Sequence, residues 1–541
     1  MTLRPTIKKM SVLAFAIIFA ITGVQASSAT DSWVPSGESP IGVQNPKDRL
    51  DAGFHNLYIA EQAQPQETMG FYQIGFPRDR YTLETMIVCP DVGPNLDCGT
   101  GKAGRAFGNA MLPVCGAELE SCIEKVWIYE EGQAPVEAQV IRTLRGESTK
   151  GYPQKGIPRG ATASIWKAAK AHTAGDEYVA QASVGYSTFQ GQVSIENLEF
   201  SVIPVAETNS TMAMDPKFIV CAPPNRPNGD AGVCGAGGNN GYNVSCAYTQ
   251  AGVCGSTKLF SPNTRVAVQL RLANQISGWF HGRMKSPDIQ VTRLNETYSQ
   301  VRVDASPVEV GRFFTQSRPD LGDKKPQELF PYLGMGGPYS ITGSNSPDAF
   351  AFISNYRNRA KDISNGTSTL WSVSSIPPPN SSGRGQCLAD TSRLLGIVTT
   401  NATAYYGRAP EFRNGFLSYE VAGMHYKPGG LELSQGSYDL VMRSDLARCL
   451  YGFSNAPLSA SVSVVNNNGQ RAFATTVVSE KNGWLKMAAY GFTFSKKTIR
   501  AKITRAKPTR IVCVSVSDES KVRNIRAVNP RCPKGFAPKT S

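Results

Sequence analysis

Tyr178 to Val184 reads YVAQASV, and after eight further residues Val193 to Val202 reads VSIENLEFSV. In both stretches apolar and polar residues tend to alternate. A strand places successive side chains on opposite faces, so this period of two predicts half-buried strands, and the short separation predicts that they pair antiparallel. The same signature recurs along the chain. Cys122 to Tyr129 reads CIEKVWIY, Arg265 to Leu272 reads RVAVQLRL, Ile289 to Leu294 reads IQVTRL, and Tyr298 to Val303 reads YSQVRV. Shorter strand-like pieces lie at 56–60, 70–74, 85–89, 218–221, 417–421, 438–442, 460–465 and 472–478. Glycine and proline, 51 and 35 of the 541 residues, exceed their usual ~12% share and favour many turns between short strands. The prediction is an all-β chain of several β-sandwich-like domains with disulfide-stapled loops.

One segment breaks this period. Ser346 can cap a helix, Pro347 suits its first position, and Asp348 suits its positive end. Ala349, Phe352, Ile353, Tyr356 and Ala360 then fall on one helical stripe, and Asn365-Gly366 ends the segment. One short helix is therefore expected near 347–361, its stripe packed on a sheet. The predicted organisation is a signal peptide at 1–26, a β domain at 27–205 carrying the Cys89–Cys122 cluster, a Cys/Gly-rich β domain at 206–310, a β domain at 311–495 with the helix, and a basic tail at 496–541.

The N-terminus reads as an export signal. Arg4, Lys8 and Lys9 precede an apolar stretch from Ser11 to Val24, and Val24-Gln25-Ala26 supplies small residues for a cut after Ala26. That stretch is too short to span a bilayer, and no run of about 18 apolar residues follows it. The expected location is secreted or at the cell surface. The twelve cysteines then read as disulfides, since an oxidising compartment makes them the default. No C-x-x-C occurs, which disfavours zinc ribbons and thioredoxin-like chemistry. Each group of four allows three connectivities. Nearest-neighbour pairing gives Cys89–Cys98, Cys115–Cys122, Cys221–Cys234, Cys246–Cys254, Cys387–Cys449 and Cys513–Cys532.

Charge is uneven. The chain carries a formal +14, of which the leader supplies three. From Lys496 onward 13 Lys and Arg face only Asp518 and Glu519, so residues 27–495 are neutral. Thr498 to Thr504 (TIRAKIT), Arg510 to Ser515 (RIVCVS) and Lys521 to Val528 (KVRNIRAV) predict a small disulfide-clipped hairpin with basic residues on one face. Its candidate polyanion-binding residues are Lys496, Lys497, Arg500, Lys502, Arg505, Lys507, Arg510, Lys521, Arg523, Arg526, Arg531 and Lys534. Such a patch suits wall polymers, acidic lipid headgroups or extracellular nucleic acid. Phe536 is its lone aromatic, too few for a single-stranded nucleic-acid platform.

Catalytic motifs do not assemble. Gly99 to Gly104 matches G-x-G-x-x-G, but a dinucleotide site needs that loop inside a βαβ unit, so no nucleotide cofactor, and no other cofactor, is expected. There is no G-x-S-x-G elbow and no calcium loop, and no metal site is expected. The four histidines, His55, His172, His281 and His425, lack a paired nucleophile in sequence. Glu118, Glu120 and Glu124, Glu130-Glu131 and Asp176-Glu177 supply clustered acids, which a glycosidase would need across a cleft and which more commonly form a solvated face. Asn239 to Asn243 and Tyr405-Tyr406 offer aromatic faces to a glycan. Six N-x-[ST] sequons add potential glycosylation sites.

Ile511-Val512-Cys513 together with Pro530 to Phe536 resembles a short basic segment at the C-termini of many secreted actinobacterial proteins. Ala447 to Phe453 is similar to part of uncharacterised secreted proteins of the same group. The resemblance implies an exported, surface-associated protein and carries no activity. The sequence thus predicts a non-catalytic cell-surface binding or structural protein. Its tail would hold anionic wall polymer or surface lipid headgroups, and its body could take a glycan or protein ligand. The alternative is a secreted polysaccharide or cell-wall hydrolase using paired carboxylates.

Overall fold

The computed structural model describes residues 55–60, 71–74, 86–89, 105–144, 151, 157–189, 192–207, 246–248, 254–273, 278–317, 322, 339–379, 383–390, 392–453, 458–466, 469–505, 509–527 and 530–539. The fold is all-β. Its two leading strands, Gly175–Phe189 and Gln192–Glu207, pair antiparallel from Glu177 opposite Val205 to Phe189 opposite Gln192. This is the pairing that YVAQASV and VSIENLEFSV predict.

Three layers stack. The middle one is a sheet of fifteen strands among the described residues. At its centre Gly278–Arg283 runs antiparallel to Ser372–Ile376 and parallel to Leu394–Thr400. Leu394–Thr400 then pairs with Gln435–Arg443, and that strand with Trp484–Thr493. A four-stranded sheet covers one face, in the order Lys285–Arg293, Tyr298–Ser306, Thr264–Ala273, Cys122–Glu130. A six-stranded sheet built on Phe416–Ala422, Lys497–Arg505 and Leu458–Asn466 covers the other.

Alternation of side chains decides which layer each residue meets. Phe280, Ile397 and Val441 pack with Val268, Leu270, Val301 and Val303 of the four-stranded sheet. Their neighbours Trp279, Val398, Leu440 and Met442 pack with Tyr419, Val464, Ile499 and Ile503 of the six-stranded sheet. The central strands are therefore buried on both sides, and Leu394–Thr400 is buried at all seven positions. Two sandwiches share one sheet. Apolar burial stabilises by about 25 cal/mol per Å², and these strands gain it on both faces. Close packing shows at Gly396, where a Cβ would sit 2.7 Å from the Trp279 ring and 2.5 Å from the Val441 carbonyl oxygen. Only glycine lets the indole lie across this strand.

The sheets do not respect the boundaries drawn at 205 and 310. Strands from 71–207, 246–283 and 372–493 lie in the same sheet. The reason is that antiparallel strands pair wherever their faces match, regardless of how far apart in sequence their cysteine clusters are.

A separate four-stranded sheet contains His55–Ala60, Val308–Ser317, Tyr339–Gly343 and Gly366–Leu370. The expected helix, Pro347–Tyr356, packs Phe352, Ile353 and Tyr356 against Ile59 and Phe313. Ser346 caps it by accepting from the Asp348 N–H at 3.1 Å. It ends earlier than 361 because the chain turns from Arg357 onward, with Lys361 and Asp362 at positive φ. A second helix, Ser444–Tyr451, was not expected. It buries Leu446, Ala447 and Leu450 and ends at Gly452 in the left-handed conformation, φ 65°. A 3-10 segment, Gly383–Ala389, lies beside it, and Cys387–Cys449 joins the two.

Cys115–Cys122 and Cys513–Cys532 are also formed. The signal peptide at 1–26 and Cys98, Cys221 and Cys234 lie outside the described residues, and Cys89, Cys246 and Cys254 are described in their backbone alone. No helix among the described residues is long and apolar enough to cross a membrane.

Candidate functional site

The basic stretch from Lys496 divides into two parts. Lys497–Arg505 is not a tail. It is an interior strand of the six-stranded sheet, between Phe416–Ala422 and Leu458–Asn466. Ile499, Ala501 and Ile503 point into the core, so Arg500 and Lys502 point out. Lys497 shares the inward face. It is buried, and its Nζ donates to Asn466 Oδ1. Burial, with the charge of Arg357, pushes its ammonium below the ordinary lysine range. Lys497 is therefore no surface anion ligand. Lys496 is also engaged, 3.4 Å from Glu420 and over the Phe350 ring. Lys502 and Arg505 lie over Phe416 and Phe453. Lys507 lies outside the described residues.

The second part is a three-stranded sheet of its own. Thr509–Ser515 pairs with Val522–Ala527 on one side and with Phe536–Pro538 on the other. Among the described residues no strand of the body joins it. Cys513 is fully buried and its disulfide to Cys532 closes the unit. Arg510, Lys521, Arg523, Arg526, Arg531, Lys534 and Lys539 are all exposed. The sequence predicts one basic face, but register splits the charges. Arg510 lies directly opposite Arg526, whereas Arg523 lies opposite Cys513 on the other face. There its guanidinium stacks over Phe536 at 4.7 Å. Lys521 pairs with Asp518, which also accepts from Ser520. Those contacts hold the Asp518 carboxyl below its usual range. Among the described residues, the other six cations have no carboxylate within ion-pair distance.

Most of the acids singled out in the sequence have a cationic partner. Glu120 accepts two bonds from Arg159, at 3.0 and 2.7 Å. Glu124 accepts from Arg271, Gln269 and Gln300. Glu130 pairs with Lys170 and Glu177 with Arg142, and Asp176 lies 3.5 Å from Lys167. These are ion pairs on the sheets, each acid held by a neighbouring cation.

Three of the histidines, His172, His281 and His425, make contacts within the fold. His172 Nε2 contacts the carbonyl oxygens of Glu177 and Val205, and His425 Nδ1 contacts that of Phe494. His281 is buried between layers and stacks on Tyr405 at 3.7 Å, while Arg283 lies over the same phenol ring at 4.4 Å. Tyr405 is thus occupied by core residues and presents no face to a glycan. The glycine motif at 99–104 and the stretch 239–243 lie outside the described residues.

A constellation that sequence reasoning missed surrounds Asp439, a carboxylate with 0% exposure. Its Oδ2 accepts from the Ser286 N–H at 3.1 Å and from Thr399 Oγ1 at 3.3 Å. Its Oδ1 accepts from Tyr490 Oη and lies 3.5 Å from Lys486 Nζ. Lys486 Nζ in turn donates to Ser286 Oγ at 2.9 Å. Ser286 sits at φ 55°, where its strand is out of register with its neighbour. Burial raises the Asp439 carboxyl, and the Lys486 charge opposes that rise. A Ser–Lys pair can serve nucleophilic catalysis, but the lysine must then be neutral. Here Lys486 Nζ donates to Ser286 Oγ and faces Asp439 as well, so both of its contacts are used across the layers. What the cluster does is pin the four-stranded layer to the central sheet. Its one sequence signal is a lone acid inside the apolar run Tyr438 to Met442.

No protein-family model matches the chain, and no curated protein matches it.

Proposed function

We propose that this is an exported, non-catalytic surface protein whose C-terminal sheet is an electrostatic anchor for anionic polymer or lipid headgroups, and whose layered body is the part displayed. The observation that carries this reading is the self-closed sheet at 509–538 with exposed guanidinium and ammonium groups lacking carboxylate partners. Unpaired surface cations on a compact, separately folded unit attract polyanions with little cost to the rest of the fold. The signal-like leader and the formed disulfides fit an oxidising destination. The resemblance of Pro530 to Phe536 to surface-associated proteins supports the same location.

The test is co-sedimentation of the mature protein with isolated cell walls and with anionic vesicles across a salt series. The comparison is a variant carrying Arg510→Gln, Arg523→Gln, Arg526→Gln, Arg531→Gln and Lys534→Gln. Binding by the native chain that weakens with salt, and that the variant loses, is the expected result. Equal binding by both would overturn the anchor and move the ligand site to the body. A truncation before Lys497 would not serve, because it removes an interior strand of the six-stranded sheet.

A further inference from the structure

The directly opposed pair Arg510 and Arg526 has a more specific meaning than net positive charge. Cross-strand neighbours in an antiparallel pair have Cα atoms roughly 5 Å apart, and like charges placed so are mutually destabilising. Here both side chains are exposed. Neither has a carboxylate partner among the described residues. The acids nearest in sequence, Asp518 and Glu519, lie in the turn at the far end of the hairpin. Asp518 is taken up by Ser520 and Lys521. Arg510 is also oriented: its Nε donates to Asn524 Oδ1 at 3.2 Å, two residues from Arg526 on the same face. That bond uses the Nε edge and leaves the terminal nitrogens for something else.

We infer that Arg510 and Arg526 form a two-guanidinium clamp for a phosphoryl group. This rests on the anchor reading above and sharpens it from polyanions in general to phosphate-bearing ones. A carboxylate has two oxygens and is satisfied by one guanidinium fork. A phosphodiester also has two non-bridging oxygens, but they diverge from a tetrahedral phosphorus that carries two ester oxygens besides, and a phosphomonoester has three, so one phosphoryl group can meet two forks side by side. An anion bound between the two arginines also removes the repulsion that their register imposes. Arg523, on the opposite face over Phe536, is outside the clamp.

The test uses the full mature chain and three probes at matched ionic strength: a glycerol-phosphate polymer, vesicles containing phosphatidylglycerol, and polyglutamate of similar charge. At least one phosphate probe should bind about tenfold more tightly than polyglutamate. Arg510→Lys with Arg526→Lys keeps the charge and removes the forks. In that variant the phosphate preference should disappear while polyglutamate binding stays unchanged. Tight binding of the polymer but not the vesicles assigns the phosphoryl source to a wall-type chain, and the reverse assigns it to a lipid headgroup. A phosphate preference that survives in the double lysine variant would refute the clamp and leave the electrostatic anchor standing. No binding of any probe would refute both. Circular dichroism of the variant, with its disulfide intact, guards against a misfolded control.

Discussion

The middle of the central sheet and the small C-terminal sheet are both antiparallel in large part, yet they are stabilised by different means. In the first, Gly278–Arg283 and Leu394–Thr400 are buried at every position, between two covering layers. In the second, Cys513 is the only fully buried side chain among the described residues, and the arginines on both faces meet solvent. Three strands without a covering layer bury too little apolar surface to persist alone. The disulfide substitutes for a core. The comparison shows that one chain can use burial where it needs rigidity and a covalent link where it needs an exposed, charged surface.

The largest expected effect breaks the buried side. Trp279 is buried on the face shared with the six-stranded sheet, and its Nε1 donates to Leu388 O at 3.0 Å. Trp279→Ala should cost ~3–5 kcal/mol, measured by denaturant unfolding. Hydrogen exchange should show the C-terminal strands unaffected. The converse variant, Cys513→Ser with Cys532→Ser, opens a loop of 19 residues and should remove about 3 kcal/mol from the small sheet alone. If both variants melt the whole chain together, the two regions are not independent and the contrast fails.

A smaller effect sharpens the buried side through pH. Burial and the nearby Arg283 charge hold His281 well below its ordinary range, and its Nε2 has no hydrogen-bond partner. The folded protein therefore keeps this ring neutral where the unfolded chain, near pH 6.5, takes up a proton. Stability is full above that value and falls as pH drops below it, by up to ~1.4 kcal/mol per unit. His172, lowered chiefly by burial, adds in the same direction. His281→Phe preserves stacking on Tyr405 and should flatten the stability profile between about pH 6.5 and 5. A profile identical to the native one would mean that His281 does not set it. The smallest effect concerns the exposed side. Arg523→Ala removes the cation over Phe536 and should cost ~0.5–1 kcal/mol of local stability, read by exchange at Ser515 and Phe536.

Much of the fold class was legible because half-buried strands announce themselves. VSIENLEFSV alternates since one face meets the core and the other does not, and Ser346-Pro347-Asp348 marks a helix start by local chemistry alone. The three-layer arrangement was not legible for the opposite reason. Once both faces are covered the alternation vanishes, and LLGIVTT at 394–400 carries no period to read. The helix at 444–451 was hidden because its N-cap, Arg443, makes no side-chain capping bond. Of the candidate site, composition revealed the excess of basic residues near the C-terminus but not its partition. Whether Lys497 points into a core or out to solvent depends on a register set by Glu420, Val421 and Asn466, which lie 31 or more positions away. The Asp439 cluster joins residues 286, 399, 439, 486 and 490, and no local pattern links them.

The parallel pairing of Trp279 with Gly396 also sets a timetable. The strand that contains Trp279 has both neighbours in later sequence, at 372–376 and 394–400. During synthesis about ninety residues must follow before its first edge is satisfied, and more than a hundred before its second. Until then a strand carrying Trp279 and Phe280 has open hydrogen-bonding edges, in a topology whose distant contacts make closure slow. The early hairpin at 175–207 can form meanwhile and offer its edge as the template on which Ser372–Ile376 later docks. Assembly of this chain is thus ordered by what has already emerged, and its most aggregation-prone interval falls between the appearance of residue 283 and that of residue 400.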